Sequence, residues 1–518
     1  MSVQQRSRMQ AALPDICETG GYGHLPLSAW LMRGALAAAS LAAVSFVETP
    51  TASALPSYAR QTGQPCATCH TAFPELTPYG RQFKLMGYTA GGTRCSDGSA
   101  KSDETQVPLA VMAWPATFTG VKNSANQAAF GVGTGNNEWL PSQFSLFVAG
   151  QLYCDVGAFA QITYDRTPAS VFNWDNTDIR YAKTGVIEGT SIVYGITANN
   201  NPGVQDVWNT GPAWNFPYIG TEVGPGQSFN TMLGGGGQWG GTVGGVGGYV
   251  WINSSFYAEF TAYGNLSPRM LTDLAGGFSG TANRFDGMAP YWRFAYEKTW
   301  DKNSLMFGTY GMYADQKVGV DATVAADPTA SVPLFFAGKT DPTLDIGVDT
   351  QYQWIGEENI VTVRGAYVWQ RKKNSAENAA MKAANAAGLD PATGAPYTLP
   401  NASDTLNDLN VSATYIYDRK YSFTAGYLRT WGATDVGLYS TAIVGSANGS
   451  PNTGAWNFDL AYLPFMNGGP DLWPWFNARI GIQYTHYDKF DGTWTNVDGS
   501  GLKAGGNDTV FLYTWLMF

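Results

Sequence analysis

From Val107 onward the chain alternates apolar and polar residues in short stretches, the period expected of strands with one face on lipid and one on a polar interior. Leu344, Ile346, Val348, Tyr352 and Trp354 alternate with Asp345, Gly347, Asp349, Gln351 and Gln353. Phe476, Ala478, Ile480, Ile482 and Tyr484 alternate with Asn477, Arg479, Gly481, Gln483 and Thr485, while Trp456, Phe458, Leu460 and Tyr462 alternate with Asn457, Asp459 and Ala461. About sixteen such stretches can be counted, an even number within the bacterial range. Short links near Cys154-Asp155, Glu188-Gly189, Asn253-Ser254, Lys302-Asn303, Glu357-Glu358, Asp418-Arg419 and, somewhat longer, Asn467-Gly468 interleave with long ones. Outer-membrane barrels have this rhythm, with short turns in the periplasm and long loops outside. The pattern therefore predicts an all-β fold, an antiparallel outer-membrane β-barrel of about sixteen strands, with both ends on the periplasmic side and a closing strand that ends at Phe518.

The same alternation sorts inward from outward positions. Glu259, Arg293, Glu297, Asp345, Asp349, Arg364, Asp459 and Arg479 fall opposite the apolar faces and are expected to line the lumen as a hydrated wall whose charges hold the segment that precedes the barrel. His486 continues the lipid-facing set of Phe476, Ile480 and Tyr484. The connection from Asn199 to Tyr218, with Trp208, Trp214 and Phe216, is too aromatic for a solvated loop and is expected to fold inward, whereas the Ala/Asn-rich stretch from Ser375 to Pro400 reads as merely mobile.

Ahead of the barrel, Arg33 precedes an apolar run from Ala35 to Val47 and the small-residue site Ala52-Ser53-Ala54, the layout of a secretory signal cleaved before Leu55. The run is shorter than the ~20 residues a membrane helix needs. Met9 and Met32 are alternative starts, and Cys17 and His24 would leave with the signal. The expected division is a signal peptide over 1–54, a short segment containing Cys66-Ala67-Thr68-Cys69-His70 over 55–106 and the barrel over 107–518. Composition agrees: 62 Gly, 28 Tyr, 26 Phe and 18 Trp with 14% charged residues do not suit a soluble helical protein. A net charge of −10 without a clustered basic surface excludes nucleic acid as a partner.

The candidate chemistry is concentrated in Cys66-Ala67-Thr68-Cys69-His70. C-x-x-C-H is the attachment signature of haem c: the thiols form thioethers to the vinyl groups and the histidine ligates iron. A zinc site would need further ligands that no second C-x-x-C or His pair supplies, and a thioredoxin-type pair would need βαβ surroundings. His70 is thus the expected iron ligand and redox centre. Arg60, Arg81 and Lys84 are candidate partners of the haem propionates, because a buried carboxylate needs a charge-assisted donor. Met86, one short helix on, is a candidate distal ligand, and a five-coordinate or water-ligated iron stays open. That helix is expected to start at Pro74-Glu75 and to stop at Gly87. Roughly fifty residues make a small core, so a second surface, the lumen, is expected to cover the haem. Cys95 and Cys154 can form a disulfide tying this segment to a periplasmic turn.

Ala59 to Gly63, the C-x-x-C-H run, Pro74, Leu76, Gly80, Arg81, Phe83, Lys84, Gly87 and Tyr88 together resemble the haem segment of the outer-membrane cytochrome–porin fusions of iron-oxidising bacteria. The resemblance implies one covalent haem c attached outside the cytoplasm and iron(II):cytochrome c oxidoreductase type electron transfer. It further implies extracellular Fe(II) as donor and a periplasmic c-type cytochrome or copper protein as acceptor. A different reading is an outer-membrane porin for small solutes in which the segment is a structural plug. A haem sensor or peroxidase would want a distal acid-base residue, and the sequence offers no distal histidine for that part.

Overall fold

The register of hydrogen-bonded strands closes on itself. The computed structural model describes residues 55–92, 107–123, 137–164, 172–211, 213–221, 224–226, 229–234, 239–267, 269–271, 284–317, 319–321, 333–335, 338–387, 395–439, 446–469, 474–495 and 501–518, so the signal expected over 1–54 lies outside them. Sixteen strands make the barrel. In order they are β1 (Leu109–Val121), β2 (Phe144–Tyr153), β3 (Val156–Tyr164), β4 (Phe172–Ile187), β5 (Thr190–Asn199), β6 (Val243–Ile252), β7 (Phe256–Asn265) and β8 (Ala289–Trp300). There follow β9 (Asn303–Lys317), β10 (Asp341–Ile355), β11 (Asn359–Lys373), β12 (Ser403–Tyr417), β13 (Tyr421–Gly432), β14 (Thr453–Tyr462), β15 (Asn477–Lys489) and β16 (Thr509–Met517). Each pairs antiparallel with its successor, and β16 returns to β1 from Met112 opposite Met517 to Val121 opposite Thr509. Such closure leaves no open sheet edge.

Turn chemistry accounts for the tight end. Glu188 and Gly189, Asn253 and Ser254, and Asp418 and Arg419 all have positive φ, in consecutive pairs. Two such residues in a row give the hairpin turn whose twist matches its strands. The β14–β15 link, 463–476, is the longer one at this end, and the chain enters β1 and leaves β16 here as well. Cys154, in the β2–β3 turn, is disulfide-bonded, while Cys95 lies outside the described residues.

Burial follows the alternation. Ile346 and Val348 of β10 are exposed while Asp345 and Asp349 are buried, and Trp456 and Leu460 of β14 are exposed while Asn457 and Asp459 are buried. The outward face is an apolar band, as in barrels that cross a membrane with strands. No helix among the described residues is long and apolar enough to cross. His486 faces outward and pairs with Asp508 at 3.0 Å. The inward charges differ from the expected hydrated wall. All eight are buried, because protein rather than water fills the lumen beside them.

The filling is the N-terminal segment. It has three short helices, α1 (Pro56–Thr62), α2 (Cys66–Cys69) and α3 (Pro78–Leu85). Helix α3 begins four residues later than Pro74-Glu75 would place it. Thr77 caps it by accepting from the Gly80 N–H at 3.1 Å, and Pro78 takes the first-turn position, where its missing N–H loses nothing. Gly80 is required by packing, since a Cβ there would stand 2.1 Å from the Cys69 carbonyl oxygen. Arg81 on this helix forms an ion pair with Glu297 of β8 and donates to Gln353 at 2.8 Å, Ser304 at 2.9 Å and Gln351 at 3.0 Å. Glu75 is ion-paired with Arg364 of β11 and accepts from Thr414 of β12 at 2.8 Å. Arg479 of β15 donates to the Phe73 carbonyl and pairs with Asp459 at 2.7 Å. The expectation of a merely mobile stretch after Ser375 is corrected too: Ser375–Ala387 is helix α4, for which its alanines have high propensity, anchored by the Ala376 N–H to Asp341 at 2.6 Å.

The plug-to-wall pairs can be tested by stability. Arg81→Ala leaves Glu297 buried without its partner and is expected to destabilise the fold by about 3–5 kcal/mol, whereas replacing both residues with methionine recovers most of the loss. Denaturation midpoints of the purified protein in detergent check this; a single variant that melts like the wild type contradicts it.

Candidate functional site

Helix α2 presents the C-x-x-C-H residues at the turn end of the lumen. Its Ala67 N–H donates to the Met466 carbonyl at 3.1 Å, and the Ala67 carbonyl accepts from Arg419 at 3.2 Å. Cys66 packs among Ile360, Ile416 and Met466, and its sulfur accepts from Asn477 Nδ2 at 3.0 Å. Burial pushes the Cys69 thiol up to about 12. The His70 ring is buried, with Nδ1 at 3.2 Å from the Glu75 carbonyl oxygen. With Nδ1–H donating there, Nε2 keeps the lone pair that a metal requires. Burial lowers the imidazole to about 4 despite the backbone bonds at Pro74 and Glu75, so the ring stays neutral, its ligating form.

A cavity of 390 Å³ opens against Cys69 and His70. That is within the roughly 300–1,000 Å³ of cofactor pockets. Three parts of the chain wall it: Leu55, Tyr58, Phe73 and Phe83 from the plug; Met112, Trp114, Phe147 and Trp515 from β1, β2 and β16; Trp214 and Tyr218 from the β5–β6 connection. An edge-to-face series links His70 to Phe73 at 5.3 Å, Phe73 to Trp515 at 4.8 Å and Trp515 to Trp114 at 5.9 Å.

The residues present fit a haem. Both Trp114 Nε1 and Trp515 Nε1 are buried at this cavity and have no hydrogen-bond partner among the described residues. Leaving a buried donor unpaired costs about 1–3 kcal/mol, so each indole calls for an acceptor in the cavity. Cys69 and a neutral histidine on the wall, aromatic side chains around them and two waiting donors suit a haem c, whereas Cys66, one helical turn away with its sulfur on Asn477, is not part of that wall.

The expected accessory residues are distributed less simply. Lys84 lines the cavity; its ammonium donates to the carbonyls of Val204 at 2.7 Å and Asp206 at 2.9 Å and lies 4.8 Å from the Trp214 ring. Burial, reinforced by Arg180, lowers its pKa to about 7 against the pull of Asp178 and Asp206. Arg81 is committed to the barrel wall. Arg60 donates to the Leu109 carbonyl and lies 4.0 Å from the Trp475 ring, and neither arginine is part of the cavity wall. Met86 packs with the wall cluster around Leu85, Trp251 and Met306, outside the cavity, whereas the methionine that lines the cavity is Met112. Met112, Trp114 and Trp515 were reachable from sequence only as inward positions of the first and last strands; nothing local says that they meet His70.

The β5–β6 connection folds into the lumen over the plug. Asn209 accepts from the Leu76 N–H at 3.2 Å and Trp208 donates to Glu297 at 2.8 Å. Asp206 is 3.1 Å from Arg293, which also holds Asp349 at 2.5 Å. Burial alone would raise the Asp206 carboxyl, but Arg293 and the N–H groups of Trp208 and Gly211 hold it below the usual range. A second, smaller cavity of 260 Å³ lies along this connection, with Thr210, Phe216, Asp408, Asn410 and Arg429 in its wall.

No protein-family model matches this sequence, and no curated protein matches it. Solved barrels do align with it. OmpT of Vibrio cholerae is 9% identical, with 82% of this chain and 99% of that chain covered at a TM-score of 0.38. Salmonella typhi OmpF, solved as a complex with daunomycin, is 14% identical, with 79% and 97% covered at 0.40. Pseudomonas putida OprB is 10% identical, with 79% and 92% covered at 0.39. At such identities and scores these likenesses add nothing to what the strand register and the apolar outer face establish: the chain is a closed sixteen-stranded antiparallel β-barrel of the outer-membrane type.

Proposed function

We propose that this protein carries single electrons across the outer membrane, from extracellular Fe(II) to a periplasmic c-type cytochrome or copper protein, through one haem c held in its lumen. The observation that carries the reading is the placement of the C-x-x-C-H helix inside a closed barrel with its histidine on the wall of an aromatic cavity. The haem, once attached, supplies one-electron cycling between Fe(III) and Fe(II). Cys66 and Cys69 tether it, and His70 offers Nε2 while the Glu75 carbonyl fixes the ring. Phe73, Trp114, Phe147 and Trp515 give that space an aromatic lining beside the polar Gln143, Gln161 and Asn176, and the polarity around a haem is a lever on its potential. The apolar band of such a barrel is about 25 Å tall, and a redox centre within the lumen divides that distance. Buried ion pairs on Glu75 and Arg81 hold the tether rigid. The names of donor and acceptor rest on the family resemblance alone.

The second reading, a small-solute porin plugged by this segment, has its own support in the barrel's strand number and in the cavity beside Asp408 and Arg429. Two measurements separate the readings. Rapid mixing of the oxidised, membrane-reconstituted protein with Fe(II) is expected to show prompt haem reduction, with the absorbance band lost in Cys66→Ala/Cys69→Ala and altered in His70→Ala; a haem that stays oxidised removes Fe(II) as donor. In planar bilayers the wild type is expected to conduct ions poorly. Arg293→Ala, which leaves Asp206 and Asp349 without their shared cation, is expected to loosen the inner connection and raise conductance several-fold. Large, steady wild-type conductance would favour the porin.

A further inference from the structure

We infer that Trp114 and Trp515 form a clamp for the haem's propionate carboxylates, in place of the arginines that charge pairing alone would nominate. The assignment rests on the haem reading. Its independent support is a coincidence of two kinds of observation. Several buried side-chain nitrogens and oxygens of the described residues have no hydrogen-bond partner; of these, the two on the His70 cavity are Trp114 Nε1 and Trp515 Nε1. Both are donors and neither can accept, so what completes them must bring acceptor oxygens. Haem brings those oxygens in its two propionates.

The geometry agrees. The indoles lie edge to face, 5.9 Å between centroids, on neighbouring strands β1 and β16, at the irregularity where the register shifts between Ala113 and Ala116. Phe73 bridges from the His70 ring to Trp515, which sets the tryptophan pair one aromatic ring away from the candidate ligand. The other candidates are spent or remote. Arg81 has Glu297, Gln351, Gln353 and Ser304, and Arg60 is directed to the Leu109 carbonyl. Lys84 does reach the cavity, but its ammonium already gives hydrogens to the carbonyls of Val204 and Asp206. Two neutral donors in an apolar wall stabilise a carboxylate without placing a full cation by the iron. The ionised propionates then favour Fe(III) electrostatically, and the ease of reduction depends on their protonation.

The test is a redox titration across pH of the holoprotein in detergent, wild type against Trp114→Phe/Trp515→Phe, with covalent haem content measured in the same samples. The expected result is full haem content, a higher midpoint potential and a break in its pH dependence moved to higher pH, because the loss of both donors disfavours the ionised carboxylates. Should the double variant fail to fold, the single phenylalanine variants are expected to show a smaller shift of the same sign. In the wild type, redox-difference infrared spectra with isotopically labelled tryptophan are expected to contain an indole N–H band. A fully loaded variant with an unchanged pH profile overturns the clamp, and a profile moved only by Lys84→Met assigns the carboxylates to the lysine instead. Wild-type protein without covalent haem overturns the haem reading itself, and the clamp with it.

Discussion

Everything in this molecule depends on the closure of β16 on β1. Inside a bilayer no water satisfies an open strand edge, so every backbone N–H and C=O of a spanning sheet must find a partner in the sheet itself. Closure meets that demand and has a second effect: each strand then has one face on lipid and one on an enclosed space. Polar side chains directed inward therefore meet whatever else the chain puts there. Here it puts in residues 55–92 and much of the β5–β6 connection, and the lumen becomes a packed protein interior. The closing pair also carries Trp114 and Trp515, so one ladder seals the barrel and builds a wall of the candidate haem cavity.

Electrostatics binds the two parts. Glu75, Arg81, Asp206, Arg293, Glu297, Asp349, Arg364, Asp459 and Arg479 are all buried, and a buried charge is tolerable only when paired and hydrogen-bonded. Opposite charges are divided between plug and wall: Glu75 meets Arg364, and Arg81 meets Glu297. Such pairs add little net stability over an apolar core, yet they are intolerant of misplacement. This suits a segment too small to fold around its own core, whose cysteines and histidine need a defined position.

Alternation along each strand, turn residues able to take positive φ, and the C-x-x-C-H spacing are local properties; a local reading recovered the barrel and its tight turns, and it nominated Cys66, Cys69 and His70 as the candidate attachment residues. Even local signals competed in places. Pro74-Glu75 reads as a helix start, but the helix begins at Pro78, because Thr77 reaches the Gly80 N–H while Glu75 is held by Arg364 and Thr414. The alanines after Ser375 read as loose until Asp341 anchors their first turn.

Partners across the lumen were beyond such a reading, because they are set by how the strands are staggered around the barrel and by how deep the plug sits. Arg60 and Arg81 have the right charge for a propionate, but neither lines the cavity: Arg81 is committed to Glu297, and Arg60 lies against the Leu109 carbonyl and the Trp475 ring. Met86 and Met112 are chemically identical, and only the packed structure turns one towards Trp251 and sets the other on the cavity. Alternation and turn chemistry, legible in the sequence, determined the strands and which way each side chain faces, and the C-x-x-C-H spacing nominated the candidate ligating atoms, since these are properties of side chains at fixed spacing. The tertiary structure alone decided what surrounds them, since enclosure is a property of a closed surface and of no single stretch of chain.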